Sequence, residues 1–123
     1  MRFSISPETK FAFVLLVIAE ILNLVFDLYN LYVGYDVITH FIGGVLVATI
    51  MADFVKAYIN DHAHALNVLV TVGIGALWEL AEFATDMLTG WSLQFGLRDT
   101  MGDLLVVFCA ALVVNAIYIL KKN

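Results

Sequence analysis

Four stretches of the sequence, 10–33, 36–59, 65–88 and 100–120, are each long and apolar enough to cross a bilayer. About 20 residues of helix span its hydrocarbon core. A chain of 123 residues with that much of its length in such runs has little left for anything else. The expected fold is therefore all-α: a polytopic membrane four-helix bundle, one transmembrane domain over residues 1–123. The connections, 34–35, 60–64 and 89–99, are short, so neighbouring helices should run antiparallel. Ser6 and Pro7 form a helix start ahead of the first run. That run is too long for a signal-peptide core and no small-residue cleavage pattern follows it, so it is read as a mature helix.

Composition narrows the function classes. Apolar residues make up 63% of the chain and charged ones 14%, against about 45–50% and about 25% in soluble domains. Six Lys and Arg against eleven Asp and Glu leave no basic footprint for a nucleic acid. The lone Cys109 cannot form an internal disulfide. Four crossings put both termini on one side. Arg2, Lys10, Lys56, Lys121 and Lys122 fall on that side and only Arg98 on the other. By the positive-inside rule both termini are cytoplasmic, in a multi-pass protein of the cell membrane. Tyr29, Tyr32, Tyr35 and Trp91 would form the outer aromatic belt, and Tyr58 and Tyr118 would mark the inner interface.

The acids do not fit a lipid-facing chain. Glu8, Asp53 and Asp61 sit where water should reach them. Glu20, Asp27, Asp36, Glu79, Glu82, Asp86, Asp99 and Asp103 lie in spans or at their outer ends. At about 100° per residue, Glu20, Asn23, Asp27 and Asn30 share one face of the first span. Gly75, Glu79, Glu82 and Asp86 share one face of the third. Asp36 and His40 are i, i+4 in the second span, as are Asp99 and Asp103 in the fourth. The acids come late in spans one and three and early in spans two and four. All four stripes therefore meet in the outer half of the membrane. Each ionised residue at mid-membrane costs at least about 2.5–3.5 kcal/mol. Arg98 and His40 cannot neutralise eight carboxylates, so the cluster must hold protons, metal cations or water.

A carboxylate and imidazole set without thiolates suits Mg²⁺, Mn²⁺, Fe²⁺ or Zn²⁺. The expected ligands are His40, Glu79, Glu82, Asp99 and Asp103. Asp36 would be a further ligand or would orient His40 through its other ring nitrogen. Glu20, Asp27 and Asp86 would stand behind these and hold them in place. Glu79 and Asp36 are the expected catalytic carboxylates, one of them left off the metal as general base. Metal ions near the outer headgroups would suit hydrolysis or transfer at a lipid-linked phosphate. Besides the bilayer, the expected partner is thus a lipid-linked substrate.

The alternative is proton or cation permeation, since intramembrane acids also mark ion pathways. Against it, the inner half shows almost no polar stripe, so a continuous path would need an oligomer or a conformational change. A network that only fixes helix register explains eight acids on four helices poorly. Smaller signals have plainer readings. The tract Asp61, His62, Ala63 and His64 reads as a solvated loop, and Asp53 as a local ion pair with Lys56. Asn115 reads as a tie between helices, Trp78 as a packed or lipid-facing aromatic, and Gly43, Gly44, Gly73 and Gly75 as close-packing positions.

The segments DVITHFIGG (36–44), GALWELAEF (75–83) and DTMGD (99–103) resemble the YjdF-like membrane proteins, with a looser likeness to VanZ-like proteins. The resemblance runs over residues 35 to about 112 and carries Asp36, His40, Glu79, Glu82, Asp99 and Asp103. It does not carry Glu20 or Asp27. The chain departs from the pattern at 106–110, an apolar run where Asn and Gly often follow the final Asp. VanZ-like proteins are linked to glycopeptide resistance at the cell envelope, so that likeness implies a role on the envelope or lipid side.

Overall fold

The computed structural model describes residues 3–32, 34–59 and 63–122. Among them there are five helices and no strand: α1 Pro7–Phe26, α2 Leu28–Leu31, α3 Tyr35–Tyr58, α4 His64–Thr89 and α5 Leu97–Lys122. All but α2 are long and apolar enough to cross a membrane. Val33, Asp61 and His62, which the sequence reading placed in the first span and the inner loop, lie outside the described residues, as does Arg2.

α1 starts as its sequence suggests. Ser6 is the N-cap, its hydroxyl accepting from the Thr9 N–H at 3.2 Å, and Pro7 opens the helix. The helix does not run through the whole apolar stretch. It stops at Asp27, whose φ of 53° and ψ of 47° are left-handed. The Asp27 N–H donates to the Asn23 carbonyl at 2.7 Å, closing the helix end. The Asn23 side chain then accepts from the Tyr29 N–H at 3.0 Å and starts α2. Asp tolerates this backbone better than most residues because its short polar side chain finds local partners. Here Asn30 donates to it at 2.8 Å.

α3 is the hub. It packs against α1, α4 and α5, and α4 packs against α5. Ala48, Ala111 and Val114 are the buried centre, with Val45, Val68 and Tyr118 around them. Two glycines permit the close approach of α5. A Cβ on Gly44 would stand 2.9 Å from the Ala110 Cβ, and one on Gly75 would stand 3.1 Å from Val107 Cγ1. Gly43 and Gly73 have no such neighbour, so the close-packing reading applies to one glycine of each pair. Small residues at crossings are how membrane helices gain dispersion contacts. Large apolar side chains such as Leu24, Leu69 and Leu105 point outward, as bilayer-facing residues do.

α1 is peripheral. No residue pair of α1 comes within 8 Å, Cα to Cα, of α4 or α5. Its N-terminal end is tied by the Asp53 carboxylate of α3, which accepts from the Ser6 N–H at 3.0 Å and the Thr9 hydroxyl at 2.8 Å. An exposed ion pair, Lys121 to Glu8 at 2.7 Å, brings the ends of α5 and α1 together.

Candidate functional site

Three helices bring polar side chains to one place. Asp36 lies in the first turn of α3 and His40 one turn on. Glu79 and Glu82 come from α4 and Asp103 from α5. His40 Nδ1 lies 3.1 Å from Asp36 Oδ1 and 3.7 Å from Asp103 Oδ1, while Nε2 lies 3.1 Å from Glu79 Oε1. The histidine therefore belongs to two groups of potential ligand atoms, each within 4.8 Å of one another: Asp36, His40 and Asp103, and His40, Glu79 and Glu82. His40, Glu79 and Asp103 are buried, at 9%, 4% and 2% exposure. Asp36 and Glu82 are half-buried.

The imidazole geometry carries chemical information. Nδ1 lies 3.0 Å from the Asp36 backbone carbonyl, an acceptor only, so Nδ1 holds the proton. In the neutral ring Nε2 is then a lone pair. Nε2 and Glu79 Oε1 are both buried, and neither makes a hydrogen bond despite their separation of 3.1 Å. Two buried electron-pair donors side by side are unfavourable unless a proton on Nε2, making the pair ionic, or a metal cation lies between them. Among the described residues no Lys or Arg forms an ion pair with any carboxylate of the cluster.

The surroundings orient the cluster. Trp78 Nε1 donates to Glu82 Oε1 at 2.8 Å, so this exposed aromatic also has a polar task. The Thr39 hydroxyl donates to the Asp36 carbonyl at 2.9 Å and lies 2.8 Å from the Tyr29 hydroxyl. Tyr29 donates to Glu20 Oε1 at 3.2 Å. Glu20 thus connects to the site through Tyr29 and Thr39. Gln94, in the loop before α5, approaches Glu79 Oε2 through Nε2 at 3.4 Å. Neither Gln94 nor Thr39 stood out in the sequence: neither is charged, Gln94 lies in the loop, and Thr39, though i+3 from Asp36 on the same face, is a residue type common in apolar helices.

Three expected participants are engaged elsewhere. Asp86 accepts from the N–H groups of Leu93 and Gln94 at 2.8 and 2.9 Å. Asp99, expected as a ligand, is in neither group of ligand atoms, and its Oδ2 accepts from the Phe95 N–H at 3.1 Å. Both carboxylates meet backbone donors of the α4–α5 loop. Asp27 is exposed at the α1 break, bonded to Asn30.

The half of the bundle nearer the termini is more polar than the sequence suggested. Asp53 is buried, and its partners are Ser6 and Thr9; no ion pair joins it to Lys56. His64 begins α4, its Nδ1 3.0 Å from Asn115 Oδ1, so Asn115 does tie helices together. Asn67 donates to the Ala48 carbonyl at 3.0 Å and accepts from the Thr71 hydroxyl at 3.2 Å. A cavity of about 750 Å³ opens beside Asp53, His64, Asn67 and Asn115. A second, of about 400 Å³, lies between α1, α3 and α4 and ends at His40.

A family model described as Predicted membrane protein (DUF2238) matches residues 1–123. The match includes α1, beyond the 35–112 segment of the motif resemblance, and is consistent with the YjdF-like likeness. No curated protein and no solved structure matches the chain.

Proposed function

We propose, for a chain that belongs to this family of predicted membrane proteins, that His40 through Nε2, Glu79 and Glu82 hold a divalent metal ion at the outer side of the membrane, with Asp36 and Asp103 on the Nδ1 side of the ring, and that the site acts on the phosphate of an envelope lipid. The observation that supports this most is the buried, unbonded pair of His40 Nε2 and Glu79 Oε1. Their 3.1 Å separation suits two ligands of one ion, since imidazole and carboxylate ligands each sit about 2.0–2.2 Å from a metal such as zinc. The imidazole favours Mn²⁺, Fe²⁺ or Zn²⁺ over Mg²⁺. Asp99 drops out as a ligand because its carboxylate is turned to the backbone of its own loop.

The ion would supply Lewis acidity toward a phosphoryl oxygen. The chain's own groups do the rest. Asp36, on Nδ1 of His40 and half-exposed, fixes the ring and is placed to take a proton from an incoming water. Glu79 and Asp103 hold the buried side of the site. Gln94 and Trp78 keep Glu79 and Glu82 in place through single hydrogen bonds. With both termini cytoplasmic, the site faces the outer headgroups. The looser VanZ-like resemblance points the same way.

Metal analysis of protein purified without chelator, beside His40→Ala and Glu79→Gln, tests the reading. Stoichiometric Mn, Fe or Zn is expected in the wild type and its loss in both variants. A wild type without stoichiometric metal ends it.

One observation favours a second reading, a cation or proton pathway. The Thr71–Asn67 hydrogen bond joins a residue lining the cavity at His40 to one lining the cavity at Asp53, so buried polar groups continue along the bundle from one to the other. Flux into proteoliposomes that Glu79→Gln leaves unchanged would rule it out.

A further inference from the structure

The gap between α1 and α4 has a shape that the ligand cluster does not explain. Among the long helices α1 packs along α3 only, and no Cα of α1 comes within 8 Å of one in α4. The space left is the cavity of about 400 Å³. Leu16 of α1, Gly43, Leu46 and Val47 of α3, Ile74 of α4 and Val107 of α5 line its body. Such a lining offers water few of the polar partners it needs, whereas hydrocarbon is at home there.

One end is different. There the wall is Glu20, Tyr29, Thr39 and His40, the histidine with its buried, unbonded Nε2. The cavity thus has a carbon body and a polar end, the pattern of an amphiphile. Direction agrees as well. The wall runs from His40 toward Thr71, which lies eight residues before Glu79 on α4, about 12 Å along the helix. A lipid of the outer leaflet points its chain the same way, from headgroup toward mid-membrane.

We infer that the cleft between α1 and α4 receives the hydrocarbon chain of a single phosphate-bearing lipid, which enters sideways from the bilayer and brings its phosphate to the polar end of the cavity, beside His40. The headgroup half of this assignment rests on the metal reading above. Glu20 in the cavity wall, and Asp36, Glu79, Glu82 and Asp103 around His40, would repel a phosphate unless a cation lay between. The chain half rests on the cavity alone.

The test uses the full protein in liposomes with Mn²⁺ and two photoactivatable probes. One is phosphatidic acid with a diazirine in its acyl chain and a non-hydrolysable phosphonate in place of the phosphate ester, so that the site cannot convert it; the other is the matching diacylglycerol, which lacks the phosphorus group. Mass spectrometry should find label concentrated on Leu46, Val47 and Ile74 over Leu69 and Leu105, which face outward elsewhere. Phosphatidic acid should label the cavity more than diacylglycerol does. Gly43→Leu fills the space from a position where a Cβ meets nothing within 4 Å. It should cut cavity labelling several-fold and leave Mn²⁺ binding unchanged, while Gly43→Ala, the folding control, keeps the label. Label spread evenly over Leu69, Leu105 and Ile74, or unaffected by Gly43→Leu, overturns the chain assignment. Equal labelling by the two probes overturns the headgroup assignment. Mn²⁺ binding is measured on the same samples, so failure of the metal reading registers separately from failure of the cavity.

Discussion

Asp53 is a buried carboxylate whose partners are a backbone N–H and a hydroxyl rather than a cation. It sits beside the first turn of α1, where a negative charge is favourable against the helix dipole. Asp53→Ala would leave the Ser6 N–H and the Thr9 hydroxyl without that acceptor. A loss of about 1–3 kcal/mol is expected, read as a lower thermal midpoint in detergent. Metal content should stay at the wild-type level, because the ligand cluster is at the other end of α3. An unchanged midpoint would mean that Asp53 does not anchor α1. The residue also shows where sequence reading stops. Lys56, three positions away, is the visible candidate partner, whereas the actual ones are 44 and 47 positions away in sequence. His40 is the opposite case. Its i, i+4 relation to Asp36 and the acid stripes of α4 and α5 made the cluster readable, because helical periodicity maps spacing directly onto shared faces.

At the level of elements, the acids near the α4–α5 turn divide into two trades. Glu79, Glu82 and Asp103 face the site, while Asp86 and Asp99 collect loop N–H groups. Asp99, in the first turn of α5, and Asp86, in the last turn of α4, each satisfy N–H groups of the loop between the two helices. The loop matters to the site because it carries Gln94 to Glu79. Asp86→Ala should therefore free the loop and lower metal affinity by about tenfold, the low end for residues that support ligands. Helix content by circular dichroism should not change. Wild-type affinity in that variant would separate the loop from the site. The break at Asp27 was hidden for a different reason. The apolar run continues past it, and hydropathy does not record a single left-handed residue that one carboxamide and one carbonyl hold in place.

For the molecule as a whole, the side of the membrane is the quantity that gives the cluster its substrate. Ser92, in the α4–α5 loop, is exposed. With Cys109 replaced by serine, Ser92→Cys should react with an impermeant maleimide added to intact cells. Reaction only after permeabilisation would put the cluster on the cytoplasmic side and remove envelope lipids as its substrate. Four helices, their order and the meeting of acids from α3, α4 and α5 could be read from the chain. The unequal standing of the helices could not, since each run is similarly apolar and only packing distinguishes a hub from a flank.

That inequality sets how the protein tolerates change. α3 presents working surface on nearly every side: Asp53 toward α1, Gly44 toward α5, His40 toward α4. α1 has one neighbour among the long helices and the bilayer elsewhere. Variation can accumulate on the outer face of α1 with little consequence, while α3 has few positions free to drift. A family built on this plan should therefore vary first at its rim and last along its central helix.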